Sequence, residues 1–148
     1  MATTTTKKKT APATPKPALS KPRAKKLKYD CLKCPGYCCS YPVIEVKDRD
    51  AARIAKHFGL PLAKAEKKYF KAVEGYRRVM RRKTDKHFGK ICQFFDTTAR
   101  RCTIYEARPL ACREFPGEDN CGYWDFLAFE RETQEDPEFI SGTWNIEN

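Results

Sequence analysis

Within nine residues, from Cys31 to Cys39, the chain carries four cysteines in the string CLKCPGYCC. No other stretch constrains the fold as much, because thiols crowded in this way either oxidise to disulfides or share a cation. Pro35 and Gly36 supply a reversal in the middle of it. Proline fixes φ and glycine tolerates positive φ, so the flanking sulfurs are turned onto one side of a loop. Four more cysteines, Cys92, Cys102, Cys112 and Cys121, follow as a second, more widely spaced group. Cysteines two residues apart around a tight turn are the local geometry of a tetrahedral thiolate site for zinc, or of an iron–sulfur cluster. All eight cysteines are therefore candidate metal ligands.

An even cysteine count in a short chain also fits a disulfide framework, with on the order of a hundred pairings open to eight thiols. That framework needs an oxidising compartment. Residues 1–29 lack the apolar core of a secretory signal, and no later run is long enough to span a membrane. The expectation is a cytoplasmic protein with reduced thiols, which favours metal ligation. Adjacent Cys38 and Cys39 point the same way, since neighbours bridge to each other only with strain.

The net charge of +11 invites a nucleic-acid reading until it is located along the chain. Residues 1–29 hold nine of the 30 Lys/Arg and no acid, which leaves 21 basic against 19 acidic residues, a net of +2, in the remainder. Residues 1–28, rich in Thr, Ala, Pro and Lys, cannot bury enough apolar surface to offset their ordering entropy and are expected to be disordered. No aromatics are interleaved there for base stacking. Nucleic-acid contact is expected only as weak, non-specific attachment by this tail. The domain proper is placed at 29–136, with 137–148 as a C-terminal extension.

Along that domain, Tyr41–Val46 reads as a short apolar strand. Asp48 or Asp50 then caps a helix with Ala51, Ile54, Ala55 and Phe58 at helical spacing, ended by Gly59. Pro61 opens a second helix with Leu62, Ala65, Tyr69, Phe70 and Val73 as its apolar face. The two helices are expected to cover the cysteine site. The charge run Arg77–Lys83, continued by Lys86 and Lys90, reads as a solvated helix face or loop. Its opposite is residues 114–148, with ten acids and one base, and an intramolecular match of charge explains both segments as well as an external partner does. His57 and His87 are not needed as ligands where thiols suffice.

In the second cysteine group, residues 91–95 and 101–105 read as the strands of a hairpin around the polar turn 96–100. Pro109 suits a first helical turn and would set Cys112 near a helix N-terminus, where a thiolate is stabilised. The aromatics Tyr123, Trp124, Phe126 and Phe129 read as a core-packing helix. CLKCPGYCC, then CQFFDTTARRCTIYEARPLACREFP and a further Cys121, resembles the YkgJ-like cysteine-cluster family, also described as the CxxCxxCC zinc- or iron-chelating domain. The resemblance covers about residues 29–125. Where the family name has two residues before the adjacent pair, this chain has three, Pro35, Gly36 and Tyr37, so either Cys38 or Cys39 is the inner ligand.

The resemblance implies metal chelation by the cysteines. The family's label of iron–sulfur oxidoreductase finds no substrate site in this sequence, and no Ser/His/Asp set, phosphate loop or paired-carboxylate motif marks an enzyme. The expected architecture is a small α+β, cysteine-rich, metal-centred domain with short strands and a few helices behind a disordered N-terminal tail. The expected ligand is zinc or iron, the latter including a [4Fe–4S] cluster. Two alternatives stand beside chelation: an iron–sulfur electron-transfer protein, and a metal-stabilised interaction module that uses the basic tail. Lys33, Lys90, Arg101, Arg108 and Arg113 adjoin cysteines in sequence and are candidates to offset their charge.

Overall fold

The computed structural model describes residues 26–142. Most of the basic tail, and the last six residues of the C-terminal extension, lie outside them. The described chain is α+β: four helices and three separate two-stranded antiparallel hairpins.

Helix α1 (Asp48–His57) forms where the spacing of Ala51, Ile54 and Ala55 predicts it, and all three are buried. The Asp50 carboxylate accepts the Lys47 N–H at its start, 3.3 Å away. Gly59 follows its end, as expected. Helix α2 (Leu62–Tyr69) begins after Pro61 but stops four residues before the expected Val73. Phe70–Val73 is instead strand β1, which turns through Glu74 and Gly75 (φ +77°) into β2 (Tyr76–Met80). A side chain disfavours that φ, so Gly75 permits the reversal that ends the helical run.

The basic run is therefore strand rather than helix or loop. Strand β3 (Arg82–Asp85) continues it and pairs with β4 (Gly89–Cys92). Arg78 is buried there, its guanidinium paired with Asp48 and, at 2.6 Å, with Glu66. Its counter-ions come from α1 and α2, not from the acidic C-terminal segment that the charge count singled out. The anticipated strand at Tyr41–Val46 is reduced to one bridge, Glu45 to Val79, flanked by hydrogen bonds from Val46 N to Arg78 O and from Met80 N to Ile44 O. Pro42, with no N–H to give, keeps the first half of that run out of the ladder.

The expected hairpin at 91–105 is present in shortened form as β5 (Phe95–Asp96) and β6 (Arg101–Cys102). Helix α3 (Leu110–Arg113) is a single turn after Pro109. Helix α4 (Gly122–Thr133) buries Tyr123 and Leu127 and leaves Phe126 and Phe129 exposed, so its aromatics only half belong to the core. The core joins Ile54, Val79, Met80, Phe88, Ile91, Phe95 and Leu127. Tyr37 from the cysteine loop stacks on Tyr123 of α4 with ring centroids 4.1 Å apart and planes 3° from parallel.

Tyr123 also donates its hydroxyl to the Ser141 carbonyl at 2.9 Å, pinning the segment after α4. Tyr123→Phe leaves that buried carbonyl without its donor while keeping the stack. We expect a loss of about 1 kcal/mol, read as a lowered urea midpoint at unchanged slope. An unchanged midpoint would show that solvent replaces the bond.

Candidate metal centre

All eight cysteines line one half-open cavity of about 420 Å³. None is in a disulfide. Four stretches of chain deliver them: the loop from Cys31 to Cys39, the segment from Cys92 to Cys102, Cys112 on α3, and Cys121 immediately before α4. The remaining wall is mostly apolar and aromatic, including Met80, Phe95, Phe115 and Trp124. Neither α1 nor α2 contributes to it, so the expected helical cover over the thiols is absent from the cavity wall. Its lining also contains neither histidine.

The cysteine loop is held by features that its sequence predicts only in part. Gly36 has φ +98°, and a Cβ there would stand 2.2 Å from two ring carbons of Phe95. The turn is thus tight because the chain passes directly over a buried ring. The Cys34 sulfur accepts the Gly36 and Tyr37 N–H groups. Arg100 donates to the Pro35 carbonyl at 2.8 Å and to the buried carboxylate of Asp85, and its guanidinium lies 4.8 Å from the centre of the Phe95 ring. Asp85 also accepts the N–H groups of His87 and Phe88. Burial alone would push the Asp85 carboxyl up, but Arg100 and these two N–H donors together hold it below the usual carboxylate range.

Sulfur electrostatics differ around the cavity. Burial pushes Cys92 and Cys112 up to about 12. Burial is also the leading cause of the upward shifts of Cys34 and Cys102. Cys38 is the exception. The Cys39 thiol donates to it and Arg108 faces it, which outweighs burial and holds Cys38 below an ordinary thiol, while Cys39 is driven well up. Backbone N–H groups aim at three other sulfurs: Phe94 at Cys92, Ile104 at Cys102, and the turn at Cys34. Such donors favour a sulfur that carries negative charge.

The expected benefit of a helix N-terminus for Cys112 is not realised. Helix α3 is one turn long, and the Cys112 N–H is already given to the Pro109 carbonyl at 3.0 Å. Among the basic residues adjoining cysteines, Arg101 and Arg108 line the cavity. Arg113 reaches toward Asp50, 4.0 Å away, and the cavity wall includes neither Lys33 nor Lys90. Arg100, Asp85 and Trp124 were not legible as site residues. Arg100 sits in a polar turn, and only the fold brings it beneath the Pro35–Gly36 reversal.

The donor set fits a thiophilic metal: clustered soft ligands, N–H groups directed at sulfur, a largely apolar surround and an arginine beside it. Among the described residues, no three Cys, His, Asp or Glu side chains already converge on a point as a metal site. The thiols line the walls, and binding requires them to swing inward and lose protons.

Fold and cavity together define a small cysteine-rich α+β domain whose thiols share one cavity. The family named CxxCxxCC, described as a "putative zinc- or iron-chelating domain", matches residues 30–137, and this chain belongs to it. The chain is also 36% identical over 88 residues to an uncharacterised protein of Methanocaldococcus jannaschii. That match takes in 60% of this chain and 44% of the relative, so the chain spans less than half that relative's length. No solved structure matches the chain significantly. Among the described residues no helix is long and apolar enough to cross a membrane.

Proposed function

We propose that this protein binds zinc or iron through its clustered cysteines, with Cys31, Cys34, Cys38, Cys39, Cys92, Cys102, Cys112 and Cys121 as the ligand pool. The observation that carries the reading is that residues as far apart as Cys31 and Cys121 present thiols to one cavity. Arg108 serves this centre as a counter-charge. It stands among Cys31, Cys38, Cys102 and Cys112 and favours the thiolate at each. Zinc held there acts as a structural or transferable ion, whereas an iron–sulfur cluster would add electron transfer.

Elemental analysis and a visible spectrum of protein purified anaerobically, without chelators, test this directly. Stoichiometric zinc without colour, or iron with sulfide and a broad visible absorption, is the expected result. Protein that carries neither metal, and whose thiols are paired, would overturn it. A pH dependence follows from the thiols themselves. Their protons compete with the metal, so affinity falls as pH falls, and uptake at pH 7 releases protons. Calorimetry in two buffers of different ionisation heat reads that release as a difference in apparent binding enthalpy. Equal enthalpies would mean that the ligands were already ionised.

A further inference from the structure

Eight thiols exceed what one tetrahedral ion takes, and the cavity exceeds what one ion fills. Its volume of about 420 Å³ compares with roughly 30 Å³ for a water molecule in the liquid. The fold sorts the cysteines into two neighbourhoods. On one side, Lys28 N donates to Asp119 O at 3.1 Å, tying the segment that enters Cys31 to the loop that enters Cys121. Arg131 of α4 donates to the Lys33 carbonyl at 3.2 Å, holding the Cys31–Cys34 turn against the helix that Cys121 precedes.

On the other side, the short hairpin pairs Cys102 with Phe95, and Thr103 N donates to Phe94 O at 2.9 Å, which sets Cys102 beside the segment leaving Cys92. Cys92 itself pairs with Arg82, whose guanidinium donates to the Ser40 carbonyl at 2.7 Å, next to Cys39. The electrostatic neighbours of each sulfur divide in the same way. Cys31 and Cys34 feel Cys121, whereas Cys39 and Cys112 feel Cys92 and Cys102. Cys38 is felt from both sides.

We propose that the cavity holds two adjacent four-thiolate metal centres, Cys31, Cys34, Cys38 and Cys121 forming one and Cys39, Cys92, Cys102 and Cys112 the other. The inference rests on the metal-binding reading above and gives it a stoichiometry. The peptide between Cys38 and Cys39 is the joint, and the vicinal pair supplies one ligand to each centre. Arg82 holds Ser40, and with it Cys39, beside Cys92, which leaves Cys38 to complete the first set. On loading, the proton of each ligand thiol leaves to solvent, and no electron is transferred. Arg108 neighbours members of both sets and offsets part of their summed negative charge.

The test uses the full chain, stripped of metal and kept reduced and anaerobic, with Co²⁺ as the probe. The thiolate-to-cobalt charge-transfer and ligand-field bands should saturate at two equivalents, and native mass spectrometry should show two ions per chain. Cys34→Ser and Cys92→Ser should each retain one ion, and the double substitution none. Saturation of the native chain at one equivalent overturns the proposal but leaves the metal-binding reading standing. So does loss of all cobalt from each single variant while its circular dichroism is unchanged. No cobalt uptake by the native chain overturns both. If either variant fails to fold, alkylation of the cobalt-saturated native chain decides. Eight protected thiols support two centres, and four reactive thiols leave one.

Discussion

Gly36→Ala should lower the stability of the metal-free, reduced chain by about 2–5 kcal/mol. That range combines roughly 1–2 kcal/mol for a side chain at positive φ with about 1–3 kcal/mol for overpacking a close contact. The contact has little room to relax. The new methyl meets the Phe95 ring at 2.2 Å, the ring is 2% exposed, and Arg100 lies against it. Displacing the turn also moves the two N–H groups off the Cys34 sulfur, so metal affinity should fall along with stability. Leu32→Ala, at a side chain 89% exposed in the same loop, is the control and should leave the denaturation midpoint unchanged. Equal midpoints for the two variants would remove the basis for a tight turn over Phe95.

Asp85→Ala should be comparably damaging, at about 3–5 kcal/mol, the usual cost of breaking a buried ion pair from one side. The Asp85 side chain is fully buried, and the Arg100 side chain opposite is 14% exposed. Truncation takes the counter-ion from that guanidinium and removes an acceptor from two N–H groups, one of them on the fully buried Phe88. Asp85→Asn keeps an acceptor and should fall between the two. Acid should produce a weaker version of the same loss. The folded carboxyl titrates below its unfolded value, so its contribution is complete above about pH 4 and is lost as pH falls through the folded value. Metal-free native protein should therefore lose stability below about pH 4, and Asp85→Asn should lack that component. Parallel pH profiles for the two would assign the acid sensitivity to other groups.

What the sequence disclosed depended on whether the signal was local. The α+β class was legible, and so was α1, because Ala51, Ile54 and Ala55 mark one buried face and Gly59 a stop. Membership of the chelating family followed from cysteine spacing together with the Cys102–Pro116 string. The strands between Phe70 and Lys90 were not legible: Phe70 and Val73 continue the helical spacing of α2, and the basic residues of β2 and β3 look solvated. Arg78 is buried only because Asp48 and Glu66, distant in sequence, neutralise it. The clamp of Asp85, Arg100 and Pro35 is hidden for the same reason, since each partner alone reads as an ordinary turn residue. The acid-rich C-terminus misled in the opposite direction: opposite totals of charge did not make those segments the partners of Arg77 and Arg78.

The four stretches that meet at the cavity run from Cys31 to Cys121, and α1, α2 and the strands β1 to β3 lie between the first stretch and the second. Metal held by thiols drawn from all four, shared between the two proposed centres, would close more than one long loop of the chain at once. Closing loops removes far more conformations from the unfolded chain than from the folded one, and the cost of each closure grows only slowly with loop length. The centre would then act as a removable cross-link for a domain whose three hairpins share no sheet, so metal supply would set the lifetime of the fold as well as the chemistry at its sulfurs.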